Sequence, residues 1–541
     1  MDINLEREEL EKIYGKISPF EFKNELIDLA ESKQKKSTRS LLDAGRGNPN
    51  WIASTPRDAF FTFGHFATNE ARRTWNQGDL AGIPEKYKIS HRFFQYIDEN
   101  SNYPGAKLLK DIINYGINEK GFDPDEWIFE LTLGIIGCDY PLPDRMLTKI
   151  EVIVHDYLMQ EMCNNNPPKG KFNIFAVEGA TAAMCYLFDS LSANKLLHKG
   201  DKIALMTPIF TPYLEIPILP NYDLEIVPIV ASETTPDGVH TWQYPKSELE
   251  KLKDPAVKAL FVVNPSNPAS VALSPKSTNE LIDIIKNYNK DLMIISDDVY
   301  GTFVEGFQSL MAKLPYNTIG VYSYSKYFGV TGWRLGTMSV HENNVFDKLL
   351  RELPFYEKKE LNKRYEGLST TPEDIKFIDR LVADSRQVAL NHTAGLSTPQ
   401  QVQMAFFSAF AILDKDNFYK KLTMDICHNR RKLLFEGLGL SLKKDKYDAA
   451  YYTEFDLLEW ANCHYGSDFA YYLEKNFKPV DVLFRLAKES SIVLLSGGGF
   501  SAPEWSIRIS LANLRDEAYI EIGMALRKIL DDFVLEWKKS I

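Results

Sequence analysis

The sequence predicts an α/β protein: a large domain with a mostly parallel sheet flanked by helices, a smaller α/β domain, and extra helical segments. Three observations predict it. Between residues 170 and 340, short apolar runs alternate with helical stretches and break into polar loops, the pattern of parallel strands joined by crossover helices. Residues 345–415 read as mostly helical, and the remainder mixes short strands with helices. A chain of 541 residues has room for two or three domains at ~100–200 residues each.

In chain order, the first 45 residues read as a helix with a charged face, then the polar stretch SKQKKSTRS, a solvated connection. LLDAGRGNPNW (41–51) is a strand end running into a tight loop of Gly, Asn and Pro. From Lys107 to Lys120 apolar residues recur at helical spacing, with Gly121 as C-cap. KFNIFAVEG, DKIALMTP, VKALFVVNP, DLMIISDD and NTIGVYSYS read as buried strands. YYTEFDLL, SIVLLS and SIRISL supply the smaller layer. The chain closes on an amphipathic helix with Ile522, Leu526, Ile529, Phe533 and Trp537 on one face. The expected divisions are 1–130 (N-terminal arm, part of the small domain and an extra helical segment), 131–415 (large domain) and 416–541 (C-terminal small domain).

Composition narrows the chemistry. A net charge of −11 argues against nucleic acid, whose phosphates need a basic surface. No run approaches the ~18 apolar residues of a membrane span. The charged start has no signal-like apolar stretch, so the expectation is a soluble cytoplasmic protein. The five cysteines form no CxxC pair and the nine histidines no HExxH, so neither a disulfide frame nor a metal site is expected.

Ligands in open parallel sheets bind beyond the carboxyl ends of the strands. The polar residues following the apolar runs are Asn264-Pro-Ser-Asn267-Pro, then Asp297-Asp298 with Tyr300, then Ser323-Tyr-Ser325-Lys326. An amide, a carboxylate, a phenol and an amine would then share one crevice. Lys326 precedes Tyr-Phe-Gly-Val-Thr-Gly-Trp-Arg334, a stretch suited to a packed turn. A desolvated lysine can lose its proton and condense with an aldehyde, and pyridoxal 5′-phosphate (PLP) is the usual aldehyde cofactor. A buried Asp297 would keep the pyridinium protonated, with Asp298 competing for the role and a helix N-cap the bland alternative. Asn267 and Tyr300 would donate to the ring oxygen. Gly179-Ala180-Thr181 opening a helix, with Ser323, Ser325 and Arg334, would form the phosphate cup.

Ser323-x-Ser325-Lys326 followed by Gly332-x-Arg334-x-Gly336 resembles the lysine signature of fold-type I, aspartate-aminotransferase-like PLP enzymes. Asn264-Pro-Ser-Asn267-Pro and Asp297-x-x-Tyr300 resemble its other cofactor motifs. The resemblance implies that Arg508, in Ser506-Ile-Arg508-Ile-Ser510, binds the substrate α-carboxylate. It implies an aromatic ring stacked on the cofactor, matched by Phe210, with core packing the alternative. It also implies a tyrosine, matched by Tyr140, reaching the phosphate of the neighbouring subunit in a homodimer.

Three departures bear on the reaction: extra length, Asn267-Pro-Ala-Ser270 in place of Asn-Pro-Thr-Gly, and the loop Ala44-Gly45-Arg46-Gly47. An arginine among glycines can bind a carboxylate bidentately. Arg46 beside Gly45 is therefore the candidate for a second substrate carboxylate, with a surface charge or salt bridge as the alternative. GRGNPN, NPSNPAS, DDVYGTF, SYSKYFGVTGWRLG and ADSRQVALNHTAGLSTPQQVQMA together resemble the aspartate 4-decarboxylase subgroup. That resemblance implies conversion of L-aspartate to L-alanine and CO₂, some aspartate aminotransferase activity, and a large homo-oligomer built from dimers. A plain dicarboxylate aminotransferase shares every cofactor residue and stays open. A fold-type I ligand sensor in a transcription regulator would need an appended basic helix-turn-helix, of which the acidic N-terminal region shows no sign.

Overall fold

Seven strands form the central sheet: β1 (Phe172–Val177), β2 (Lys202–Thr207), β3 (Glu225–Val230), β4 (Val257–Val263), β5 (Met293–Asp297), β6 (Thr318–Ser323) and β7 (Gly336–His341). Their order across the sheet is β1-β7-β6-β5-β4-β2-β3. All neighbours are parallel except β7, which runs antiparallel to β1 and β6. The structure is a computed structural model describing residues 10–15, 17–34, 41–386, 394–442 and 445–541. Most of the polar stretch SKQKKSTRS, and residues 387–393 of the motif beginning at Ala383, lie outside the described residues.

Five strands coincide with the five apolar runs. The other two were not among the runs named from the sequence. β3 is an edge strand, mostly solvent-facing and interrupted by Pro228, a residue tolerated at an edge because it has no N–H to pair. β7 is wholly buried yet carries Thr337, Ser339 and His341, so its composition hides its place in the sheet.

Successive residues of each strand serve opposite layers, as the pleat requires. Ala204 and Met206 pack with Leu281 and Ile284 of helix Pro275–Asn287. Ile203 and Leu205 join the larger core with Leu187 of helix Ala180–Ala193. Burial on both faces explains the near-continuous apolar runs.

A second sheet of three strands comprises β8 (Tyr452–Asp456), β9 (Leu495–Ser496) and β10 (Ser506–Ser510), in the order β8-β10-β9 and antiparallel. The run SIVLLS, expected as one strand, divides between two pairings. Ile492–Val493 pairs in parallel with Leu42–Asp43, and Leu495–Ser496 joins β10. The first pairing brings the Gly-rich loop after Asp43 against the C-terminal sheet, where the Ser510 N–H donates to Ala44 O at 2.8 Å.

Helix Ala106–Asn114 continues into a wider π-type turn, Tyr115–Glu119, and Gly121 takes a left-handed φ of 67° just beyond it. Helices Val345–Glu352, Phe355–Tyr365, Phe377–Asp384 and Thr398–Leu413 fill the 345–415 region. The closing helix, Asp516–Ser540, buries Ile522, Leu526, Ile529 and Phe533, and the Trp537 ring lies tilted 5.0 Å from that of Phe469. No helix among the described residues is long and apolar enough to cross a membrane. Among them, no group of three or more His, Cys, Asp or Glu side chains is placed to hold a metal ion.

Candidate active site

A cavity of about 330 Å³ opens at the carboxyl ends of β4, β5 and β6. Its lining includes Ala180, Thr181, Phe210, Asn267, Asp297, Tyr300, Ser323, Ser325, Lys326, Arg334 and Arg508. Residues nominated from separate stretches of the chain thus meet in one place, because each parallel strand ends at the same edge.

One part of the wall gathers groups that can bind an anion. Helix Ala180–Ala193 begins here and presents unpaired N–H groups at its first turn. Gly179 precedes it at φ 87°, and a Cβ there would stand 2.5 Å from Arg334 Nη2, so only glycine lets the guanidinium lie against the helix start. Arg334 is itself left-handed (φ 56°), with Nη1 donating to Thr331 O at 2.8 Å. The Ser323 hydroxyl donates to Ser325 Oγ at 2.9 Å.

Asp297 ends β5 with its side chain in the cavity. The buried Tyr213 hydroxyl donates to its Oδ2 at 3.1 Å. Burial pushes the Asp297 carboxyl up to about 6, while the Tyr213 hydroxyl, the Val299 N–H and the Lys326 charge hold it down. Asp298 is absent from the lining. Its two oxygens accept from Ser296 Oγ at 2.8 Å and Ser309 Oγ at 2.5 Å, and burial drives its carboxyl well above the usual range. Of the two adjacent acids, Asp297 is the one that faces the cavity.

Arg508 leaves the middle of β10, 1% exposed. Its Nη1 donates to Asn267 Oδ1 at 3.1 Å and its Nη2 to Gly45 O at 2.8 Å. Its guanidinium lies 4.3 Å from the Tyr452 ring centroid, and Nε has no protein partner. Lys326 Nζ donates to Gly47 O at 3.0 Å, a carbonyl that also accepts from Tyr451 OH at 2.9 Å. Ser270, standing where glycine was expected, adopts φ 66°, and its hydroxyl accepts the N–H groups of Tyr451 and Tyr452. The altered turn therefore fastens the Asn267 loop to β8.

Two nominated side chains lie outside this cavity. Arg46 points to Asp43, with Nε donating to Oδ2 at 2.9 Å, and is 59% exposed. Its neighbour Gly45 reaches the site through its carbonyl, at Arg508. Tyr140 sits in an exposed loop, away from the cavity of its own chain.

Sequence reasoning missed Gly47, Tyr452, Tyr213 and Phe20. Tyr452 lines the cavity and accepts from Tyr300 OH at 3.1 Å. Phe20 lines it too, with its ring 5.9 Å from that of Phe210. Gly47 was legible in principle: a second glycine two residues after Gly45 marks a close backbone approach.

A family model described as "Aminotransferase class I and II" matches residues 177–525, which contain every lining residue named above except Phe20 and Gly47. The chain belongs to the class I and II aminotransferase family. A Pseudomonas sp. protein named bifunctional aspartate aminotransferase and L-aspartate beta-decarboxylase is 46% identical over 524 residues, covering 96% of this chain and 97% of the relative. An aspartate aminotransferase from Pyrococcus abyssi is 28% identical over 239 residues, 43% of this chain and 57% of that one. Among solved structures, an aromatic aminotransferase from Pyrococcus horikoshii OT3 covers 94% of this chain and 100% of its own at 18% identity (TM-score 0.56). A Thermus thermophilus aspartate aminotransferase mutant covers 96% of both chains at 17% identity (TM-score 0.54). These structures share the fold-type I architecture expected from the sequence.

Class I and II aminotransferases are PLP-dependent, and the donor set fits that group. The Gly179 cradle with Thr181, Ser323, Ser325 and Arg334 suits a phosphate, Asp297 suits a pyridinium nitrogen, and Lys326 supplies the amine.

Proposed function

We propose that this chain is a PLP-dependent aspartate 4-decarboxylase, converting L-aspartate to L-alanine and CO₂, with aspartate aminotransferase activity alongside. One observation carries the reading. The bifunctional relative matches 96% of the chain, extra segments included, whereas the P. abyssi aspartate aminotransferase matches 43%.

Bound PLP supplies an aldehyde that condenses with amines and a ring that takes up electrons from the substrate carbon. The residues supply the rest. Lys326 leaves Gly47 O, and its freed amine removes the proton from substrate Cα and returns one later. Asp297 holds the proton on the ring nitrogen. With the cofactor bound, Asn267 and Tyr300 would donate to its ring oxygen, Phe210 would pack on its ring, and Gly179, Ala180, Thr181, Ser323, Ser325 and Arg334 would hold its phosphate. Arg508 holds the α-carboxylate with the terminal nitrogens that now donate to Asn267 and Gly45. Arg46, released from Asp43, holds the β-carboxylate. That grip favours the ground state, and loss of CO₂ discharges the charge, so Arg46 must loosen before the step. Exclusion of water from the site decides between decarboxylation and hydrolysis to oxaloacetate.

The active unit is a homodimer in which Tyr140 reaches the partner's phosphate site, built into a larger homo-oligomer. Five cysteines, odd in number, scattered and with no CxxC pair, support a cytoplasmic enzyme. Residues 131–415 form its large PLP-binding domain, 416–541 the small domain, and 1–130 the arm and extra helical segment.

The test uses PLP-loaded protein and L-aspartate with no oxo acid. Sustained, equimolar CO₂ and alanine over many turnovers is the expected result. A single turnover that resumes only when 2-oxoglutarate is added would mean an aminotransferase alone.

A further inference from the structure

Behind the substrate-side arginine lies a carboxyl that the mechanism above does not use. Glu454 of β8 stands opposite Arg508 of β10 in the antiparallel register, which sends both side chains from the same face of the sheet. Glu454 is 8% exposed and Arg508 1%. No hydrogen bond joins them. Glu454 Oε1 accepts from Ser506 Oγ at 2.5 Å, and its Oε2 has no protein partner. The arginine spends its terminal nitrogens on Asn267 and Gly45, leaving Nε without one. Two buried groups of opposite formal charge thus face each other, each with one polar atom unmatched.

The seat is made for this carboxyl. A Cβ at Gly497 would fall 2.2 Å from Glu454 Oε1 and 1.9 Å from Ser506 Oγ. The charged groups around Glu454 are Arg508 from β10, Asp456 from its own strand, and His240 from the loop before β4. His240 Nε2 bonds Asp456 Oδ2 at 3.1 Å, and its backbone N–H donates to Glu459. Burial pushes the Glu454 carboxyl up to about 8. The Ser506 hydroxyl and the charges of Arg508 and His240 hold it down, and Asp456 pushes it higher. Glu454 also lines a second cavity of about 590 Å³, with His240, Asp456 and Glu459, which shares no lining residue with the first.

We propose that Glu454 is a positioning residue for Arg508. As a neutral acid it leaves the guanidinium's charge to the substrate carboxylate; as a carboxylate it draws that charge to itself and weakens dicarboxylate binding. The proposal rests on the reading of Arg508 as the substrate-carboxylate arginine.

The test is binding of succinate, a dicarboxylate without an amine, to the PLP-loaded enzyme by calorimetry from pH 6.5 to 9.5. Three variants accompany wild type: Glu454→Gln, Ser506→Ala and Arg508→Ala. Wild type and Glu454→Gln should bind alike at pH 6.5. By pH 9.5 wild type should be weaker by about ten-fold, the factor of a one-unit pKa coupling. Ser506→Ala removes a hydrogen bond that favours the charged form, so the wild-type break should move to higher pH. A mere structural role for Glu454 would move affinities without moving that break. Coincident profiles for wild type, Glu454→Gln and Ser506→Ala, with binding lost in Arg508→Ala, would overturn the proposal and leave the role of Arg508 intact. Undiminished binding in Arg508→Ala would overturn the reading of Arg508 itself.

Discussion

Asp297 and Asp298 are adjacent in the chain and meet opposite surroundings: Asp297 faces the cavity beside Lys326, and Asp298 is sealed between Ser296 and Ser309. The strand pleat separates them. One acid faces the cavity, and the other is buried and accepts hydrogen bonds from two serine hydroxyls.

That contrast gives paired expectations. Asp297→Asn should cut turnover by about 10²–10³-fold, the scale of losing a preorganised charge partner, with little change in thermal midpoint. Asp298→Asn should lower the thermal midpoint while turnover per folded enzyme stays within a few-fold. Steady-state kinetics and melting curves on both variants check this.

Gly47 allows the N-terminal loop to approach the amine. A Cβ there would lie 2.6 Å from Tyr452 Oη and 3.2 Å from Lys326 Nζ. The Lys326 amine ends a flexible side chain and the Tyr452 hydroxyl ends a buried ring, so Gly47→Ala should displace the amine and shift the ring while the fold is retained. Turnover should fall by about 10²-fold, the usual consequence of an ångström's misplacement, with the melting curve unchanged.

Arg46 is held by Asp43 in this structure, and binding a β-carboxylate requires it to change partners. Arg46→Ala should raise KM for aspartate by about ten- to hundred-fold, the range of a lost charged hydrogen bond. KM for a monocarboxylic amino acid should stay unchanged. An unaltered KM for aspartate would remove Arg46 from the site.

Much of this was legible because chemistry follows strand ends. The motifs at Asn267, Asp297 and Lys326 each sit one step beyond an apolar run, and parallel topology converts that local pattern into a shared crevice. What hid was contributed across long sequence distances. Tyr452 and Glu454 look like ordinary residues of an alternating strand, and only the β8–β10 register sets them beside Arg508. Tyr213 lies in a short helix after β2 with no motif of its own. The direction of Arg46 could not be read either, since it depends on Asp43 being fixed by pairing with Val493.

The Glu454 carboxyl also links stability to pH. Its folded value is about 8 against an ordinary 4.5, so the folded state holds a proton that the unfolded chain has released. The stabilising contribution is complete below about pH 4.5 and is lost as pH rises through about 8, at up to about 1.4 kcal/mol per unit. Glu454→Gln, which has no proton to lose, should gain in thermal midpoint relative to wild type as pH is raised from 5 to 9.

The most direct test of the account identifies which carboxylate leaves. L-Aspartate is turned over in D₂O by the PLP-loaded enzyme, and the product is read by NMR. With Arg508 retaining the α-carboxylate, the product should be L-alanine carrying deuterium at Cβ, where the departing carboxylate was replaced by a solvent proton. β-Alanine, or oxaloacetate with no alanine, would contradict the account.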